Sequence, residues 1–319
     1  MNKAIVLGAT GATGQVIVSE LLARGVDVIA FGRSETKLKA LMEKHQFNKQ
    51  LSYKLGDLFD YQTIIDAAGD AEVIFTCAGV AYQEMEEKLS LLGESVMKAA
   101  HILGRKIVIV DGIYVYGYQR TKGDENHPKQ PHTKKGKLRV AFENLIFSTK
   151  WKNASSLIVR LPDYYGITSQ NAYLQPTLEG MAAHKVSIFF GNLKTPREYV
   201  YLPDAAKMIV NIAERDDAYG ENWNIPGVGL ISGKEIIQIA REVTGNRKMV
   251  IPLTKNSIRL IGLFDSFIKE VVEIMYLTKK GFVLSGEKYE NRIGPIPATP
   301  YRKGLEQTLR LLMDGKHQI

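Results

Sequence analysis

Apolar residues along the chain fall into two alternating patterns: short runs, and longer segments in which they recur every three or four positions. The runs at 4–7, 26–31, 51–55, 73–77, 106–110 and 156–160 predict buried strands. The segments 15–24, 35–44, 61–68, 86–100 and 134–148 predict helices, with Leu38, Leu41 and Met42 striping the second and Leu138, Ala141, Phe142, Leu145 and Ile146 the last. Strands separated by helices imply an α/β fold with a doubly wound parallel sheet and right-handed crossovers. Past residue 160 the pattern is less regular. Helices are predicted at 174–183 and at 203–214, the second opening on Pro203, and extended segments at 186–190 and 198–201. Ser232 and Glu235 have the spacing of a capping box and start a helix that ends near Gly245. Residues 258–277 are mostly apolar but interrupted by Asp265, Lys269, Glu270 and Glu273. They predict an amphipathic helix or helix pair packed on the rest, with a membrane-surface helix as the alternative.

The first strand runs into Gly8-Ala9-Thr10-Gly11-Ala12-Thr13-Gly14 before the first helix begins. Glycine permits positive φ and close approach of a ligand to the backbone, and the free N–H groups of a helix's first turn face an anion. Strand, glycine turn and helix together predict a dinucleotide pyrophosphate site. The second strand ends in Gly32-Arg33-Ser34, with Lys37 close by, where the adenine ribose of such a cofactor lies. Arg33 in place of an acid favours NADP, leaving NAD possible; its alternative is a surface charge at the start of a helix. Asp57, in Gly56-Asp57-Leu58, either accepts from the adenine amino group or caps the following helix. Cys77, Ala78 and Gly79 close the fourth strand with small side chains that let backbone lie against the cofactor.

Composition narrows the class further. The 319 residues suffice for a large core without disulfides or metals, and the single cysteine, Cys77, reads as a buried side chain in a reducing compartment. No apolar stretch approaches a membrane span, so the chain reads as soluble and cytoplasmic. A net charge of +8 suits an anionic ligand, and 120–152 holds nine Lys or Arg against three acids. The basic residues lack the aromatic interleaving of nucleic-acid binders, and the six histidines lack metal-ligand spacing. The expected partner is a small-molecule substrate, with no nucleic acid and no metal.

Several segments together resemble the extended short-chain dehydrogenase/reductases, the NAD-dependent epimerase/dehydratase group. The glycine turn is similar to that family's G-x-x-G-x-x-G, Gly56-Asp57-Leu58 to its adenine-side motif, and Val115-Tyr116-Gly117 to its V-Y-G. Residues 158–166 resemble L-R-P-x-N-V-Y-G, residues 197–206 resemble R-D-F-V-H-V-D-D-V-A, and Thr299 to Leu305 resembles T-P-x-x-x-G-L. The resemblance implies a Rossmann-type domain over 1–165, with a return of the chain near 196–225. It also implies a small C-terminal α+β substrate domain from 166–195 and 226–319. A homodimer through helices 86–100 and 134–148 is a further family-level expectation.

Departures from the family pattern bear on the chemistry. The family uses a serine after the fifth strand and a Tyr-x-x-x-Lys on the next helix, where tyrosine moves the substrate proton and lysine lowers its pKa. Alignment puts Gly112, Lys135 and Arg139 at those positions. Arg139 can hold the cofactor ribose but cannot relay a proton. Tyr114 or Lys135 is the expected acid, and Tyr82, Tyr116, Tyr164 and Arg197 are expected around the substrate. Three readings follow: an NADP-dependent reductase of a small carbonyl or activated double bond, a nucleotide-sugar epimerase or dehydratase, and a non-catalytic NADP(H) sensor or scaffold.

Overall fold

Strand β1 (Lys3–Leu7) sends Ala4 and Val6 to one face of a sheet and Ile5 and Leu7 to the other, the two-residue period of a strand buried on both sides. The computed structural model describes residues 1–118, 122–168, 172–254, 273, 275–278 and 282–315. Helix α1 (Ala12–Ala23), β2 (Asp27–Gly32), α2 (Glu35–Lys44), β3 (Leu51–Leu55), α3 (Tyr61–Ala68) and β4 (Val73–Thr76) follow in turn. After them come α4 (Met85–Leu103), β5 (Lys106–Gly112), α5 (Lys134–Ile146) and β6 (Ser155–Leu161).

One further strand joins this sheet from much later in the chain. β10 (Asn222–Asn224) pairs with β6, so the sheet has seven parallel strands in the order β10-β6-β5-β4-β1-β2-β3. Helix α7 (Leu202–Ala213) packs on α1 and buries Ile209, Val210 and Ile212 in the same core. The strand order reverses between β1 and β4. Ligands of such sheets bind at this switch point, outside the carboxyl ends of the strands, and the glycine turn lies there.

A second body of structure is built from short elements: β7 (Asp163–Tyr165), α6 (Gln175–Ala182), β8 (Ser187–Phe190), β9 (Arg197–Tyr201), β11 (Leu230–Ile231), α8 (Gly233–Thr244) and β12 (Val250–Leu253). Its strands form a β11-β9-β7 sheet and a parallel β12-β8 pair. The helices α6, α8 and α10 (Tyr301–Met313) enclose a core around Leu178, Ile236, Ala240, Leu305 and Leu309. Helix α9 (Glu287–Arg292) packs beside β10. The capping box at α8 is present, with the Ser232 hydroxyl accepting the Glu235 N–H and the Glu235 carboxylate accepting the Ser232 N–H.

Two expectations need revision. The buried stripe of α5 is Lys135, Gly136, Phe142, Glu143 and Ile146, while Ala141 faces solvent. Phe142 and Ile146 are buried as expected, and Glu143 joins them because Arg160, itself fully buried on β6, requires a carboxylate, which Glu143 supplies at 2.9 Å. The amphipathic segment expected at 258–277 lies outside the described residues, apart from Glu273 and a short turn, Met275–Thr278. No helix among the described residues is long and apolar enough to cross a membrane.

Candidate functional site

The glycine turn is packed so tightly that two of its glycines admit nothing larger. Gly8 has φ of +77°, and a Cβ there would stand 2.9 Å from Ala78; at Gly14 a Cβ would stand 2.2 Å from the Gly8 carbonyl oxygen. Gly8 therefore brings the end of β1 against Ala78 beyond β4, and Gly14 seats the first turn of α1 on the loop before it. Gly11, the N-cap of α1, contributes no side chain, so the helix's positive end is left to an outside anion. Gly8 to Gly14 thus fit a dinucleotide's pyrophosphate. Cys77 and Thr13 share a side-chain hydrogen bond in the same wall, and burial pushes the Cys77 thiol up to about 12, which makes it inert packing.

At the adenine side Arg33 is exposed at the end of β2, and the Ser34 hydroxyl accepts the Lys37 N–H at 3.4 Å as the N-cap of α2. Asp57 does not cap α3, since Asp60 has that position. One oxygen of Asp57 instead accepts the N–H of Phe59 at 3.1 Å, while Leu58 packs against the core beneath.

The expected catalytic residues come together at the carboxyl ends of β4 and β5. Gly112 ends β5 with ordinary extended backbone, and the Tyr114 ring fills the space a side chain would take: a Cβ on Gly112 would lie 3.0 Å from Tyr114 Cε2. A phenol ring therefore takes the space of a side chain at the end of β5. The Tyr114 hydroxyl shares a 2.8 Å hydrogen bond with that of Tyr82, whose ring meets it edge-on at 6.5 Å. The Tyr82 hydroxyl also lies 3.4 Å from the hydroxyl of Tyr173, just before α6. Burial, then Tyr82, pushes the Tyr114 phenol well above the usual range, and burial, then Tyr114 and Tyr82, does the same to Tyr173.

Lys135 and Arg139 on α5 carry carboxylate partners. Lys135 is buried, and Glu273 engages it twice: one carboxylate oxygen accepts the backbone N–H at 3.0 Å and the other accepts Nζ–H at 2.8 Å. Burial works against the charge on Glu273, but the hydrogen bonds from Lys135 outweigh it and hold the carboxyl below its ordinary range. Nζ of Lys135 also stands 5.5 Å from the centre of the Tyr82 ring. Arg139 donates to Asp111 at 2.5 Å, an aspartate at the end of β5 whose side chain is wholly buried.

The remaining expected residues divide. Tyr164 lies half-buried on β7, its phenol pushed up by burial and then by Asp163. Tyr116 does not join the group. It is buried in a separate cluster, stacked on Phe282 with ring centres 5.7 Å apart and donating to Asn224 at 2.9 Å. Tyr114 and Tyr116 share a short 3-10 turn, in which residues two apart point to different sides. Arg197 is buried on β9, donates to the Phe190 carbonyl at 2.8 Å and stacks on Phe189 and Tyr199. Its charge acts on Asp163, a residue that reading of the sequence passed over although it stands at the asparagine of the L-R-P-x-N-V-Y-G pattern. Burial raises the Asp163 carboxyl to about 6, with Arg197 pulling part of the way back. Asp111, Tyr173 and Glu273 were missed as well; their partners lie 28, 91 and 138 residues away, beyond any local signal. Among the described residues no cluster of His, Cys, Asp and Glu is arranged to hold a metal.

The model of the "NAD dependent epimerase/dehydratase family" matches residues 4–226. No curated protein matches the chain. Several solved structures share its fold over nearly the whole length. UDP-glucuronic acid 4-epimerase from Bacillus cereus in complex with NAD is 18% identical, with a TM-score of 0.78 and coverage of 98% of this chain and 99% of that one. UDP-glucose 4-epimerase from Thermotoga maritima with UDP-glucose is 15% identical, with a TM-score of 0.77 and coverage of 98% and 99%. dTDP-glucose 4,6-dehydratase from Bacillus anthracis in complex with NAD is 16% identical, with a TM-score of 0.78 and coverage of 99% and 97%.

Proposed function

Because the chain belongs to the NAD dependent epimerase/dehydratase family, we propose that it binds a nicotinamide dinucleotide at Gly8 to Gly14 and acts on a nucleotide-activated sugar. The observation that carries the chemistry is the Tyr114 ring standing in the place opened by Gly112, its hydroxyl bonded to that of Tyr82. When bound, the dinucleotide supplies or accepts a hydride at the sugar carbon. Tyr114 gives the proton to the oxygen of the carbonyl being reduced, and takes it back in the reverse direction. Lys135 positions the crevice through Tyr82 and Glu273 rather than moving the proton, since Nζ is committed to a carboxylate. Arg139, held by Asp111 at the end of β5, would hold the cofactor ribose. Arg33, with Ser34 and Lys37 beside it, favours the 2′-phosphate of NADP over NAD.

A second reading rests on the same phenol. Burial keeps Tyr114 protonated, which suits a donor in reduction better than a base in oxidation, so a one-way reductase of a carbonyl or activated double bond uses this geometry equally well. The two part in one assay. The protein is incubated with NAD or NADP and UDP-glucose, UDP-glucuronic acid or dTDP-glucose, and separately with NADPH and a panel of ketones and enones. The nicotinamide absorbance is followed and the sugars are examined by NMR. Sugar conversion supports the first reading, and NADPH consumption with ketones or enones alone supports the second. Dinucleotide binding with neither result leaves a non-catalytic cofactor-binding protein. In either enzyme Tyr114→Phe lowers turnover by about 10²–10⁴-fold with dinucleotide affinity unchanged, whereas Lys135→Met lowers it less. Unchanged turnover in both variants removes the proposal.

A further inference from the structure

A second recess lies at the outer edge of the seven-stranded sheet, beside β10. Its walls come from the turn at 125–129, the end of α5 at Glu143 and Phe147, the approach to β10 at 220–222, and Lys288 of α9. Neither the glycine turn nor Tyr82, Tyr114, Lys135 or Arg139 lines it, and its volume of about 590 Å³ is of the size that holds a small molecule.

Most of the charge in the recess is spent within it. The Lys129 ammonium closes on Glu143, which also holds Arg160 at 2.9 Å. Lys288 closes on Glu221 at 2.5 Å and donates to the Asn222 carbonyl at 2.7 Å, and Arg292 gives Glu221 a second cation at 2.8 Å. Glu125 is the exception. It is only 9% exposed, and one carboxylate oxygen accepts the Asn224 N–H at 2.8 Å, yet among the described residues it forms no ion pair. Burial raises its carboxyl above the ordinary range; the N–H groups of Asn224 and of Glu125 itself, then Lys288, pull it back only in part, and Asp124 pushes it up again. Lys288 is committed to Glu221 and acts on Glu125 from a distance, so it does not serve as the counter-ion. A glutamine would accept the same N–H without burying a charge, so the hydrogen bond to β10 does not explain why a carboxylate stands here.

A cation from outside completes this wall. No group of His, Cys, Asp and Glu among the described residues is arranged to hold a metal ion, which leaves an organic cation. The Asn222 amide, whose nitrogen donates to Glu143 at 3.1 Å, keeps its oxygen as a second acceptor in the same recess, and Phe147 supplies an apolar surface for a carbon skeleton. We propose that the recess binds a small organic ammonium ion, with Glu125 as its counter-ion. The site shares no residue with the glycine turn or the phenols, and its ligand is independent of the reaction proposed above.

The test is a calorimetric titration of the full-length protein at neutral pH with butylammonium chloride, butanol and sodium butyrate, which share a carbon chain and differ in the charge of the head group. Saturable binding of butylammonium, with neither the alcohol nor the carboxylate binding, is the expected result. Glu125→Gln keeps an acceptor for the Asn224 N–H and loses the charge, so it weakens butylammonium binding at least about tenfold, as expected of a charge-assisted contact, without lowering the unfolding temperature. Lys288→Met removes the cation that competes for Glu125 and tightens binding. The absence of saturable butylammonium binding, equal binding of the alcohol or the carboxylate, or unchanged affinity in Glu125→Gln overturns the proposal. Where Glu125→Gln does not fold, Lys288→Met decides: tighter binding supports the site, and unchanged or weaker binding overturns it. Neither dinucleotide nor sugar enters the titration, so its failure leaves the nucleotide-sugar reading standing, and failure of the sugar assays leaves this result intact.

Discussion

Restoring the serine that the family keeps after the fifth strand should damage this protein. Gly112 has φ of −110° and ψ of 174°, a conformation any residue adopts, so Gly112→Ser meets no backbone obstacle. The obstacle is the Tyr114 ring, with Cε2 at 3.0 Å and Cδ2 at 3.3 Å from the new Cβ, before the serine hydroxyl is placed. Overpacking of this kind costs about 1–3 kcal/mol. Moving the ring also breaks the 2.8 Å bond to Tyr82, worth about 1 kcal/mol. The unfolding temperature followed by circular dichroism should fall by roughly 3–6 °C, taking about 1.5 °C per kcal/mol for a chain of 319 residues. Turnover should fall about 10²-fold, the usual consequence of a 1 Å misplacement of a reacting group. Dinucleotide affinity should hold, because the glycine turn belongs to β1. The cause is isolated by a double-mutant cycle: in a Tyr114→Ala background the serine should cost less than about 0.5 kcal/mol. A Gly112→Ser protein with parental unfolding temperature and turnover, or the same penalty with and without the ring, would show that Tyr114 does not occupy the serine's place.

Other substitutions test neighbouring parts of the argument. Arg33→Asp should lower NADPH affinity at least about tenfold and raise NADH affinity, measured by fluorescence titration, because a carboxylate binds the ribose hydroxyls and repels the 2′-phosphate. Gly14→Ala should abolish dinucleotide binding in the same titration, since its Cβ would lie 2.2 Å from the Gly8 oxygen and force the turn open. Asp163→Asn should stabilise the protein at alkaline pH. The folded carboxyl at about 6 lies above its unfolded value, so the native state holds a proton that the unfolded chain releases, and the aspartate costs stability increasingly as pH rises from about 4 to 6. Urea unfolding at pH 8 should show the variant ahead by about 1–2 kcal/mol, a figure reduced from the full shift because the residue is only half-buried, and the lead should vanish near pH 4.

Elements with a repeating pattern were legible in the sequence; those made by distant pairing were not. All six early strands and their helices follow from apolar periodicity, and the glycine turn is readable because strand, turn and helix N-terminus are contiguous. Strands β7, β10 and β11 have two or three residues each, too few to show a period. Helix α10 does carry Leu305, Leu309 and Leu312 on one face, but Pro300 and Gly304 read as a motif and masked its spacing. Within the site, the resemblance of motifs drew attention to Gly112, Lys135 and Arg139. That a tyrosine ring fills the first, and that carboxylates hold the other two, depends on Asp111 and Glu273 arriving from elsewhere in the chain. Arg197 was expected near the substrate from the family pattern and Tyr116 from its place after β5; in the fold both are buried, one donating to the Phe190 carbonyl and the other to the Asn224 side chain.

The late arrival of β10 has a bearing on how the chain is made. β6 holds Leu157, Ile158 and Val159 fully buried in the finished sheet, yet the strand that covers its edge ends only at Asn224. During synthesis β6 leaves the ribosome with an open row of backbone donors and acceptors, and some sixty further residues must follow before its neighbour exists. A nascent chain stopped between β6 and β10 therefore presents a long hydrophobic edge of the kind that pairs with other chains. The first elements of the second body, β7, α6, β8 and β9, lie in that interval, so they must be synthesised before the cofactor sheet can close.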